Sequence, residues 1–189
     1  VVMGVGIVED LRRCVTSDFK KSGNPIVLIG STRPELGGSE YERLRGFAGG
    51  PPPSVDALGL RASMDAVLLA IRSETVAACH DLSHGGLAIA AAEMCLGGDL
   101  GAKLSTSPMD PARWDVQLFS ESNGRWLVEV SKDRYDEFMH HLEGIPTVRL
   151  GETGGRSLHL SQGRQWTSLA IPTMRKAWSE TIPKQVVVS

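Results

Sequence analysis

The chain has 189 residues, enough for one well-buried domain and few for two. Its 20 Lys and Arg nearly balance 22 Asp and Glu, so a formal net charge of −2 gives no electrostatic case for nucleic acid or an anionic membrane surface. No apolar run approaches the roughly 20 residues that span a bilayer. The three cysteines, Cys14, Cys79 and Cys95, form no CxxC pair, which argues against a disulfide framework or a zinc site and fits a reducing cytoplasm.

Residues 1–8 are apolar and strand-like, and they lack the basic start of a signal peptide. A charged connection runs to Lys21, and Gly23-Asn24-Pro25 marks a turn before a short buried strand at 26–29, closed by Gly30. After the loop 31–38, Ser39 and Glu42 form a capping box for a short helix. Gly49 to Pro53 is a stiff linker, and Ser54 is expected to cap the longest helix, reaching about residue 73. Leu60, Met64, Val67, Leu68 and Ile71 keep helical spacing and predict its core-facing stripe.

Val76 to Cys79 reads as a buried strand that delivers His80 and Asp81 at its carboxyl end, where ligands collect in α/β folds. A helix from about Gly86 buries Leu87, Ala90, Ala91 and Met94 and stops at Gly97-Gly98. A strand at 100–106 and a short helix at 111–118 follow. Residues 126–130 alternate as a strand with one face more buried. Tyr135, Phe138, Met139 and Leu142 line a further helix, and three strands are expected near 146–150, 156–160 and 166–170. Pro172 suits the first turn of a last helix reaching Trp178, beyond which the tail from Pro183 has no helical pattern. The mixture predicts an α+β fold, a mixed β-sheet covered by α-helices.

Three polar stretches could carry chemistry. In His80 to Met94, HDLSHGGLAIAAAEM, a carboxylate and a hydroxyl precede a glycine pair that opens a helix. Free amides at a helix start suit a phosphate, glycine lets the backbone come close, and Asp81 beside them suits a divalent metal. In the second stretch, Gly37, Gly38 and Ser39 stand before Glu40 at another helix start. The third, Phe119 to Arg125, packs Ser120, Glu121, Ser122, Asn123 and Arg125 into a turn, and the guanidinium there can fork onto a phosphate or onto Glu121 at the surface. Any one of these is also an ordinary capped helix or polar hairpin loop. His80 suits a supporting role, His84 lies in the glycine loop, and His140, His141 and His159 are expected to be solvated. No GxxxxGK[ST] and no GxSxG occurs.

The His80–Leu87 stretch resembles the HDLSxGGL signature of the aminoimidazole ribonucleotide synthetase superfamily. IVLIGSTRPELGGSEY (26–41) and FSESNGR (119–125) resemble segments of the phosphoribosylformylglycinamidine synthase family within it, with Asn123 and Gly124 departing from the usual pattern. The resemblance implies the C-terminal domain of an ATP-dependent ligase of purine biosynthesis, with residues 1–22 the last strand and connection of a preceding domain and 23–189 the domain itself. It implies Mg2+ and ATP or ADP at an auxiliary or shared site. Asp81 would be the metal ligand, and Gly37, Gly38, Ser39, Ser83, Gly85, Gly86, Glu121, Ser122, Asn123 and Arg125 the nucleotide- or phosphate-binding set. The family's catalytic histidine lies in segments absent here, so no catalytic residue is expected in this chain, and it should be inactive alone. The implied partners are the synthase's N-terminal domains and a glutaminase subunit or domain supplying ammonia, in the cytoplasm. Two other readings stay open: a non-catalytic structural or nucleotide-binding module, and the equivalent domain of a sister enzyme, aminoimidazole ribonucleotide synthetase or selenophosphate synthetase.

Overall fold

A run of apolar residues without alternation can be a strand only where both sheet faces are covered. Pro25–Ile29 is such a strand, β1, buried at every position. The computed structural model describes residues 3–8, 10–110 and 112–186, the last six of these by backbone alone. Around β1 the other strands assemble: β2 (Val76–Asp81), β3 (Ala102–Ser105), β4 (Trp126–Val130), β5 (Thr147–Thr153), β6 (Ser157–Gln162) and β7 (Gln165–Ala170). They form one seven-stranded mixed sheet in the order β2-β4-β1-β5-β3-β6-β7. Every neighbouring pair is antiparallel except β3 with β6. The helices are α1 (Glu40–Arg45), α2 (Ala57–Arg72), α3 (Gly86–Gly98), α4 (Trp114–Phe119), α5 (Tyr135–His141) and α6 (Ile171–Val186).

Helices cover both faces of the sheet. On one, α3, α4 and α6 bury Leu87, Ala91, Met94, Leu118 and Met174 against Ile26, Leu28, Leu104 and Leu158. On the other, α2 and α5 bury Val67, Ala70 and Phe138 against Val27, Ile29, Val128 and Val130. The expected α+β sandwich with a mixed sheet is therefore what forms.

Several expectations need correction. Residues 3–8 take no strand structure and expose Met3, Val5 and Ile7; residues 1 and 2 lie outside the described residues. An isolated extended segment has no ladder partner to hold it, whatever its β-propensity. The cap of α2 is Asp56, whose Oδ1 accepts from the Gly59 amide at 3.1 Å, not Ser54. The buried stripe of α2 is Ser63, Val67 and Ala70, while Met64 and Leu68 stay nearly half exposed. Small Ser63 and Ala70 are the side chains that let a helix lie close to a sheet. β4 is covered on both faces rather than one. Glu129, wholly buried, accepts from the amides of Lys20 (2.7 Å) and Lys21 (3.0 Å) and from Asn24 Nδ2 (2.7 Å), which satisfies its carboxylate. Though consecutive in the chain, β5 and β6 are separated in the sheet by β3. The backbone of α6 also runs through Pro183 to Val186, since a proline removes one helical hydrogen bond without obliging the chain to leave the helix.

Candidate functional site

Because β4 runs antiparallel to both β1 and β2, the carboxyl ends of β1 and β2 lie at the same end of the sheet as the amino end of β4. The loops after β1 (30–39), after β2 (82–85) and before β4 (120–125) therefore gather there. These are the three stretches singled out in the sequence, and they meet on one atom. Glu121 Oε1 accepts from the Gly85 amide at 2.8 Å and from the Glu40 amide at 3.0 Å. One carboxylate thus sits at the amino ends of α1 and α3 together, where an anion is favoured.

The two glycines that open α3 have separate reasons. Gly85 has φ +77, in the left-handed region, and a Cβ there would lie 2.3 Å from Ile89 Cγ1. At Gly86 a Cβ would lie 2.5 Å from the Ser120 carbonyl oxygen, so the glycine lets α3 press directly on the 118–120 backbone. Gly86's amide donates to the Ser83 carbonyl at 3.1 Å. The amides assigned to phosphate are thus engaged within the protein.

The α1 start is built similarly. The Ser39 hydroxyl, buried, accepts from the Glu42 amide at 3.2 Å. Glu42 reaches back to the amides of Gly38 (3.2 Å) and Gly50 (3.1 Å) rather than to Ser39, so the capping box is shifted by one residue and pins the linker. Gly37 is buried against Gly50 and Pro51.

Arg125 is corrected from a surface fork to an internal brace. It is 1% exposed, and its guanidinium donates to the Ser122 carbonyl (3.0 Å), the Thr32 hydroxyl (2.9 Å) and the Ser120 carbonyl. No ion pair to Glu121 is present among the described residues. Burial pushes its pKa down to about 10, against the pull of Glu35 and Glu121, so it remains charged at neutral pH. The Ser122 hydroxyl accepts from the Arg33 amide at 3.0 Å, and Ser120 donates to the Arg33 carbonyl at 2.6 Å. Ser122 and Arg125 therefore hold loops together.

Three of the expected side chains face outward. Ser83 is exposed, and Asn123 is exposed on a cleft of about 220 Å³ lined also by Gly30, Ser31, Arg33 and Ser63. The Asp81 side chain is 69% exposed, with His80 Nδ1 at 3.6 Å. His80 Nε2 is held by Glu93 at 3.1 Å. Among the described residues no three His, Cys, Asp or Glu side chains converge on a possible metal position. One exposed carboxylate does not make a metal site by itself.

Other side chains add to the picture. Glu35, missed in the sequence, is buried and accepts from the amide (3.0 Å) and hydroxyl (2.7 Å) of Ser54. Burial works to raise its carboxyl, but the hydroxyls of Ser122 and Ser54, the Ser54 amide and the Arg33 charge outweigh it and hold the group below the usual range. No spacing rule marks a lone Glu in RPEL, so nothing local could have found it. His84, exposed, faces Glu40 at 3.8 Å, and His141 is mostly buried beside Glu137 rather than solvated, unlike exposed His140 and His159. Burial pushes the Cys79 and Cys95 thiols up to about 12, as expected of core residues and not of nucleophiles.

With this geometry in place, residues 21–160 match the family described as AIR synthase related protein, C-terminal domain. The chain belongs to that family. A curated relative from Thermoplasma acidophilum, phosphoribosylformylglycinamidine synthase subunit PurL, is 34% identical over 186 residues, 98% of this chain and 24% of the relative. The chain therefore spans about a quarter of the length of the curated relatives it matches. Among solved structures, Thermotoga maritima PurL complexed with FGAR has a TM-score of 0.73 at 18% identity, covering 87% of this chain and 30% of that one. The same protein complexed with ATP has a TM-score of 0.67 at 19% identity, covering 87% and 27%. At such identities these two structures speak to the fold, which agrees. No helix among the described residues is long and apolar enough to cross a membrane.

Proposed function

We propose that this chain is the C-terminal domain of a phosphoribosylformylglycinamidine synthase, an ATP-dependent ligase of purine biosynthesis acting in the cytoplasm. What carries the reading is similarity to PurL along 98% of the chain, supported by the meeting of all three motif loops on Glu121. In the proposed reaction ATP transfers a phosphoryl group to the formamide oxygen of the substrate, releasing ADP. Ammonia from a glutaminase partner then displaces phosphate to form the amidine. Residues 1–22 would join this domain, 23–189, to the N-terminal domains, which would carry the catalytic groups.

Within that enzyme the engagement of Gly85 and Glu40 by Glu121 favours a supporting role for this chain over a phosphate cradle. Gly37, Gly38, Ser39, Gly86, Ser122 and Arg125 then shape the wall. Asp81, Ser83 and Asn123, which stay exposed, are the residues available to a nucleotide or its magnesium, and Asp81 would supply one oxygen to an ion otherwise held by phosphates, water and the rest of the synthase.

The test is ammonia-dependent ADP formation from ATP, magnesium and formylglycinamide ribonucleotide. The chain alone should give none above background, and adding the N-terminal domains of the same synthase should restore it. Robust turnover by the chain alone would refute the reading, as would failure of the complete synthase.

A further inference from the structure

β2 is the first strand of the sheet and, among the described residues, pairs with no strand but β4. Its open side is met by the segment before β1, residues 15–24, which has no helix or strand of its own. The Cys79 amide donates to the Thr16 carbonyl at 3.2 Å. Val15 packs against the core under α2 and α5, and Phe19, 2% exposed, lies in the core under α3, α4 and α6. Between Val15 and Phe19 the chain therefore passes round the edge of the sheet, from one helix layer to the other.

Beyond the edge the same segment is fastened to α3, β4 and β5. The Phe19 amide donates to the Met94 carbonyl of α3 at 3.1 Å, and α3 can end hard against it because Gly98 has no Cβ, which would lie 2.1 Å from the Phe19 carbonyl oxygen. Glu129 of β4, wholly buried, accepts from the Lys20 amide (2.7 Å) on Oε2 and from the Lys21 amide (3.0 Å) and Asn24 Nδ2 (2.7 Å) on Oε1. The Lys21 carbonyl accepts from the Thr153 hydroxyl of β5 at 2.5 Å, and the Gly23 amide donates to the Thr153 carbonyl at 2.8 Å. A segment that merely joins two units runs in water with few contacts. This one has partners along its whole length, and among the described residues every donor to Glu129 comes from it.

We propose that residues 15–22 are a strap latched by Glu129, which covers the β2 edge and ties the two helix layers together, so that the folded domain begins at about residue 15 and not at 23. An uncovered strand edge pairs with foreign chains, and covering it with a loop is one way a protein blunts it. Glu129 stands between Val128 and Val130, where an apolar side chain would fill the same buried space; a carboxylate there is stable because its oxygens are met, and the strap meets them. The strap also bears on the site end of the sheet. Thr16 holds Cys79, two residues before Asp81, on a strand whose other neighbour is β4 alone among the described residues. It acts within this chain's own fold, independently of the reaction proposed above.

Limited trypsin digestion of the full chain, read by mass spectrometry, tests the strap. Arg12, Arg13, Lys20 and Lys21 are all exposed, so the rate of cutting after each reports whether the backbone beside it can open. A synthetic peptide of residues 10–24 supplies the intrinsic rate at each site. Relative to that peptide, cutting after Lys20 and Lys21 should be slowed at least about tenfold more than cutting after Arg12 and Arg13. The amides of Lys20, Lys21 and Cys79 should be protected from exchange. Glu129→Gln turns one acceptor oxygen into a donor, and should speed cutting after Lys20 and Lys21 at least about tenfold while circular dichroism stays native and Arg149 in β5 stays uncut. Equal slowing at all four wild-type sites, or free exchange of the three amides, would overturn the strap. A folded Glu129→Gln chain with Lys20 and Lys21 still protected would overturn the latch. If that variant does not fold, the wild-type rates decide.

Discussion

A buried guanidinium is stable only when its donors are met, and Arg125 meets them with two loop carbonyls and a hydroxyl. Arg125→Lys should therefore cost about 2–3 kcal/mol in urea unfolding, because lysine cannot serve three acceptors from one fixed plane and leaves buried carbonyls unpaired. A surface bridge would lose only about 0–1 kcal/mol, and a loss that small would mean the brace is unimportant. The sign of its pH effect also follows. The folded value lies near 10, below the ordinary one, so the cost of burying the charge is present throughout the pH range below 10 and fades only above it. Arg125 then adds no slope to stability between about pH 6 and 8. Its place in FSESNGR was visible in the sequence and its role was not. The fork of an arginine is the same for a phosphate and for two carbonyls, and only burial distinguishes them.

At the scale of elements, the amino ends of α1 and α3 share one acceptor, Glu121. Glu121→Ala should free both amides and cost about 2 kcal/mol, with Glu121→Gln, which keeps an acceptor but not the charge, losing about half as much. Faster amide exchange at Gly85 and Glu40 in the alanine variant is the local check; exchange unchanged at both would show that the cap is not holding them. The sequence displayed each motif at its own helix start, and most element boundaries were equally legible. Gly86 opens α3 and Ser39 caps α1, but the left-handed residue that closes α3 is Asp99. Gly97 and Gly98 lie inside the helix and admit the backbone of Asp18 and Phe19, where a Cβ at Gly98 would lie 2.1 Å from the Phe19 carbonyl oxygen. What local pattern could not convey was which loops are neighbours. That depends on β4 inserting between β1 and β2, a contact about 50 to 100 residues distant in sequence, and it turns Glu121 from a ligand for something else into a cap. For α2 the helical spacing of Leu60, Met64, Val67, Leu68 and Ile71 was real, but the apolar arc is wider than the sheet contact, and the small residues chose its centre.

Across the whole molecule, the sheet separates two apolar cores that touch different helices. Ile26 belongs to the core under α3, α4 and α6, and Ile29, three residues further along the same strand, to the core under α2 and α5. Both are fully buried. Strand geometry puts them on opposite faces, so a space left by shortening one cannot be refilled by side chains that line the other. Ile26→Val and Ile29→Val should each destabilise by about 0.5–1.5 kcal/mol. The double variant should lose the sum to within about 0.5 kcal/mol, as for sites with no shared partner. The measurement is a double-mutant cycle by urea unfolding with a single slope for all four proteins. A coupling clearly above that bound would mean that β1 shifts as a unit and carries strain from one layer to the other. The loops at its carboxyl end, and Glu121 with them, would then respond to packing changes on either side of the sheet.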